Sequence, residues 1–67
     1  MLTGLEKQIL KQLGRSNQDI SNSLGITLPA TKFHIHNIIK KIGAKSRTQA
    51  ILIALLDGDL NLNEVIL

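Results

Sequence analysis

Apolar residues recur at helical spacing in four stretches of this chain, and a glycine follows each stretch. Gly14, Gly25, Gly43 and Gly58 stand where a helix ends on a left-handed residue, a conformation that glycine adopts without steric cost. Start signals precede three of the stretches. Thr3-x-x-Glu6, Ser16-x-x-Asp19 and Ser46-x-x-Gln49 each put a hydroxyl at an N-cap and an acceptor three residues on. Thr27 caps the remaining stretch, with Pro29 in its first turn, where a missing N–H does no harm. The pattern predicts helices near residues 4–13, 17–24, 28–42 and 47–57. With short connections and no repeat, the fold class is all-α, a four-helix bundle. Helices two and three, joined by the sharp turn Gly25-Ile26-Thr27, make a central helix-turn-helix. Residues 1–58 form the expected domain. The tail, residues 59–67, alternates Leu60 and Leu62 with Asn61 and Asn63 and ends in Val65-Ile66-Leu67. Strand, short helix and disordered end all stay open for it.

On a wheel stepped at about 100° per residue, the third stretch has two unlike sides. Ile38, Thr31, Ile42, Ile35, Leu28 and Ile39 form a compact apolar stripe for the core. Opposite lie Lys32, His36, Pro29, Lys40, Phe33 and Asn37, with Lys41 and His34 at the far edge. Thr31 suits the stripe if its hydroxyl finds a partner such as a backbone carbonyl one turn back. Phe33 breaks the pattern. It is the only aromatic residue of the chain, and it points away from the isoleucines, among cations and amides. A lone exposed apolar residue is common on protein surfaces. The sharper alternative is an apolar contact to a thymine methyl in a major groove, flanked by Lys32 and His36 as donors.

Charge favours that alternative. The net charge is +3, but it is unevenly spread. The segment from Thr27 to Arg47 carries Lys32, Lys40, Lys41, Lys45 and Arg47 and no Asp or Glu. A basic helix and the turn after it suit a polyanionic partner. Other classes fall away. A hydrophobic content of 43% is too high for a disordered tail. The absence of Cys excludes a disulfide framework and any thiolate metal site or nucleophile. The longest apolar run, Ala50 to Leu56, is far short of the ~20 residues that span a bilayer, and no signal peptide opens the chain. A cytoplasmic location with no membrane partner is therefore expected. No metal and no cofactor are expected either. His34 and His36 diverge by about 200° on a helix, whereas helical metal pairs sit three or four residues apart. Scattered acids and the lack of a Gly-rich phosphate loop leave no catalytic constellation, so no enzyme is expected.

A set of motifs occurs in order: Leu2-Thr3-x-x-Glu6, Ser16-Asn17-x-x-Ile20, Leu24-Gly25-Ile26, Lys32-x-His34, Ile39-x-Lys41 and Arg47-Thr48-Gln49-Ala50. From Leu2 to about Ala54 the chain resembles the LuxR/GerE-type DNA-binding domain of bacterial transcriptional regulators. Lys-x-His followed by Lys-Ile-Gly-Ala-x-Ser-Arg-x-Gln-Ala is the most specific part, and it separates this family from region 4 of sigma factors. The resemblance implies a four-helix domain whose third helix enters the major groove of double-stranded DNA. Its base-reading positions fall on Lys32, Phe33 and His36, the side already singled out by the wheel. Backbone contacts are implied for Ser16, Asn17, Thr27, Lys40 and Lys45. Helix starts suit that role, because free N–H groups attract a phosphate. The sequence departs from the family pattern at Leu5 and Gln8 of the first helix, at Ser21, and at Ala30-Thr31. The stretch from Leu10 to Gly14 is two residues short, which points to an altered first helix or exit.

The fourth stretch is apolar almost all round. Ala50, Ile51, Ala54 and Leu55 share one side, while Gln49, Leu52 and Leu56 share the other. Two leucines left in water forfeit roughly 1.5–3 kcal/mol each relative to full burial. A second copy would cover them, and the resemblance implies a homodimer through this helix; a tail folded back from Leu60 to Leu67 is the competing cover. Two functions of different classes follow: sequence-specific DNA binding as a transcriptional regulator, or a protein-interaction module that pairs with a related regulator through the fourth helix. DNA titration separates them. The sequence leaves open whether the chain is complete or follows a receiver or sensor domain in a longer regulator.

Overall fold

The computed structural model describes residues 2–66 and, among them, five helices: α1 (Gly4–Lys11), α2 (Asn17–Leu24), α3 (Leu28–Ile42), α4 (Arg47–Leu56) and α5 (Leu62–Ile66). Met1 and Leu67, the outer ends of the domain and tail expected above, lie outside the described residues, as do the side chains of Val65 and Ile66. The caps read from the sequence start four of the helices. Thr3 accepts from the Glu6 N–H at 3.1 Å while Glu6 Oε1 accepts from the Thr3 N–H at 2.8 Å, a reciprocal capping box. Ser16, Thr27 and Ser46 accept from the N–H groups of Asp19, Ala30 and Gln49. Gln49 does not complete a second box. Its Oε1 accepts instead from the N–H of Lys45, at 2.6 Å.

α3 is the central element and packs against α1, α2 and α4. Ile35 and Ile38 face Ile9, Leu10 and Leu13 of the first helix and its exit, Ile20 of α2, and Ala50 and Ala54 of α4. Small residues on the inner side of α4 let its backbone come close to this cluster. Thr31 sits fully buried in the same stripe, and its hydroxyl donates to the Thr27 carbonyl at 3.0 Å, one turn back as expected. Between α2 and α3 the chain turns at Gly25, whose φ of 66° lies in the left-handed region. The Ile26 N–H then returns to the Ser21 carbonyl at 3.1 Å, and the buried Ser21 hydroxyl donates to the Ile26 carbonyl at 2.5 Å. The serine at this position thus ties down the turn of the helix-turn-helix.

One expectation needs correcting, and the open question of the tail closes. The first helix ends at Lys11, two residues before the expected bound, and Gly14 does not take the left-handed conformation expected of it. The chain leaves α1 through successive three-residue turns, Gln12 N–H to Ile9 and Leu13 N–H to Leu10, which close the helix without a left-handed residue. Leu13 is thereby rolled into the core. The tail, left open above, contains a short helix, and Leu60 ahead of it is buried at 2% exposure. Both Asp59 and Leu60 donate their N–H to the Ala54 carbonyl, so the chain folds directly back onto α4. The packed unit therefore runs at least to Leu60.

Candidate nucleic-acid interface

The outer side of α3 has the composition the wheel assigned to it. Lys32, Phe33, His36 and Lys40 are exposed, and Asn37 is half-buried. Phe33 keeps 63% of its surface in water. Its ring meets the half-buried His34 edge-on, with centroids 5.7 Å apart and an interplanar angle of 66°. Isoleucines hold the inner side, so the backbone cannot rotate about its axis without exposing them.

The basic segment is smaller on the surface than in the sequence. Lys41 reaches Glu6 on α1, with Nζ 2.8 Å from Oε1. Glu6 is buried, on the side of α1 that carries Ile9 and Leu10. The Lys41 ammonium and the Thr3 N–H hold its carboxyl below the usual carboxylate range. Arg47 is also turned inward. It donates to the carbonyls of Leu13 and Arg15 and to Oδ1 of Asn17, and burial lowers the pKa of its guanidinium from the ordinary value. Lys32, Lys40 and Lys45 remain exposed, and no carboxylate among the described residues pairs with them. The counting of charge by sequence segment missed this division.

Ser16, Asn17 and Thr27 lie at the starts of α2 and α3. Ser16 and Thr27 use their oxygens as cap acceptors, which leaves each hydroxyl proton to donate. Asn17 gives its oxygen to Arg47. Lys45 follows α3 in the turn to α4. On α4, Leu52 and Leu56 are 55% and 86% exposed, and Gln49 stands exposed on the turn before them. The tail does not cover the two leucines with any described side chain: Leu60 enters the core and Leu62 is itself exposed.

The same residues align with known proteins. The family model for bacterial regulatory proteins of the luxR family, GerE, matches residues 1–54. The chain belongs to the LuxR/GerE family. Its members are transcription regulators, not enzymes. A solved structure of the transcription factor GerE superposes with a TM-score of 0.83 at 43% identity, covering 91% of this chain and 94% of that one. The probable csgAB operon transcriptional regulatory protein of Salmonella typhimurium is 47% identical over 53 residues, which are 76% of this chain and 24% of that protein. The response regulator protein VraR of Staphylococcus aureus is 41% identical over 56 residues, 81% of this chain and 27% of that protein. This LuxR-family chain thus spans about a quarter of the length of these curated relatives. Among its described residues, no helix is long and apolar enough to cross a membrane.

Proposed function

We propose that this LuxR-family helix-turn-helix domain binds double-stranded DNA sequence-specifically, in the cytoplasm, as the DNA-reading part of a bacterial transcriptional regulator. α3 lies in the major groove. Lys32 and His36 donate to base edges there, and Phe33 packs on a thymine methyl. Ser16, Asn17, Thr27, Lys40 and Lys45 hold the phosphate backbone and set the register. Two copies pair through Gln49, Leu52 and Leu56 of α4 and present two recognition helices to half-sites about 10 bp apart or a related spacing. In a longer regulator, a receiver or sensor domain upstream would control that pairing.

One observation carries this reading: a helix whose isoleucines fill the core exposes the protein's only phenyl ring on the side that carries Lys32 and Lys40, with Lys45 in the turn that follows, and no carboxylate among the described residues pairs with these lysines. Cations grouped on one side attract a polyanion, and release of its counterions favours the complex. Titration with duplex DNA at two salt concentrations tests it. Affinity for a selected duplex should fall steeply with salt, because each neutralised phosphate releases counterions. Indifference to every duplex, together with tight pairing to a related regulator, would favour the protein-interaction function instead.

A further inference from the structure

Arg47 stands at the first position of α4, yet all its reach is toward the segment between α1 and α2. Nε donates to the Leu13 carbonyl at 2.9 Å, Nη2 to the Arg15 carbonyl at 2.5 Å, and Nη1 to Oδ1 of Asn17. A guanidinium has donors only. The side of the Asn17 carboxamide that meets it must therefore be the oxygen, which fixes which way the amide is turned. Asn17 is half-buried, and its Nδ2, which is not fully enclosed, has no hydrogen-bond partner among the described residues.

Phosphate oxygens at neutral pH accept and do not donate. A carboxamide free to flip offers them its oxygen as readily as its NH2, and oxygen against oxygen repels. We infer that Arg47 is a positioning residue for DNA binding: by engaging Oδ1 it turns Asn17 Nδ2 outward as a dedicated phosphate donor. The two carbonyl contacts serve the same end, because they pin the short exit of α1 and so fix where α2 begins. This inference rests on the DNA-binding reading above and adds to it a residue that never touches the nucleic acid.

The test compares Asn17→Asp with the parent chain on two unrelated duplexes, alongside thermal unfolding. Aspartate keeps an acceptor for Arg47 and nearly the same shape, so the unfolding midpoint should hold or rise. It removes the donor and sets a negative charge against the phosphate, so affinity for both duplexes should fall by about tenfold or more. A second arm uses Arg47→Lys, which keeps the charge but not the three-pronged geometry. Its affinity loss should shrink in an Asn17→Ala background, where the group it orients is gone. Parent-like binding by Asn17→Asp overturns the inference, as does an Arg47→Lys loss that is equal in both backgrounds. A parent chain that binds neither duplex fails the DNA reading itself and takes the inference with it.

Discussion

α3 and α4 each bury one side in the same core, but they leave opposite kinds of surface in water. The outer side of α3 is polar and cationic, with a single phenyl ring among Lys32, His36 and Lys40. The outer side of α4 offers Leu52 and Leu56 with Gln49 at the preceding turn. Cations and imidazoles lose little by staying hydrated until a phosphate or base edge replaces the water. Stacked leucines gain only from another apolar surface. The difference teaches that one small domain presents two surfaces of separate chemistry, each on the outer side of a helix whose inner side is fixed by packing.

Four experiments would break or sharpen this contrast. The largest effect is expected from Leu52→Glu combined with Leu56→Glu. Each leucine covered in a dimer contributes roughly 1.5–3 kcal/mol, so the pair of changes should yield a folded monomer by sedimentation. A parent chain already monomeric at high concentration, free and on DNA, would remove the dimer. Next comes the division within α3. Ile38→Ala should cost about 2–5 kcal/mol in urea unfolding, against about 0.5 kcal/mol or less for Phe33→Ala. Similar losses at the two positions would mean that the phenyl ring is part of the core. Lys45→Ala should weaken every duplex alike and reduce the salt slope by about one, whereas a loss that depends on base sequence would contradict a backbone contact.

The smallest effect is electrostatic. Lys41 and the Thr3 N–H depress the Glu6 pKa, so the folded state holds the ionised form more tightly than the unfolded chain does. That contribution is complete above the ordinary glutamate pKa and is lost as pH falls through the depressed folded value. Glu6→Gln should therefore flatten the acid limb of the stability profile while leaving its alkaline side level. An unchanged acid limb would show that the Lys41 pair contributes nothing measurable.

The two outer surfaces were legible in the sequence because helical periodicity reports them directly. Thr31 and Phe33 are adjacent but for one residue, and the wheel alone sent the first inward and the second outward. The engagement of Lys41 and Arg47 was not legible by the same means. Glu6 shares its helix side with Ile9 and Leu10, a spacing that puts a carboxylate at the core and demands a cation. That signal was present but was absorbed by the capping reading. For Arg47 no local signal existed: its partners lie some thirty residues earlier, in carbonyls that the shortened exit of α1 leaves exposed. Gly14 misled for a related reason, since the three-residue turns end α1 before a left-handed residue is needed. Leu60 was hidden by its polar neighbours, and only the return of the chain at Gly58, with φ of 80°, brings it into the core.

Selection of binding sites from a pool of random duplexes tests the central claim most directly, performed with the parent chain and with Lys32→Ala and His36→Ala. If the outer side of α3 reads bases, the parent enriches a defined site, and each variant loses preference at particular positions within it, by about 1–3 kcal/mol per contact. Recovery of the same site with undiminished preference by both variants would contradict the account.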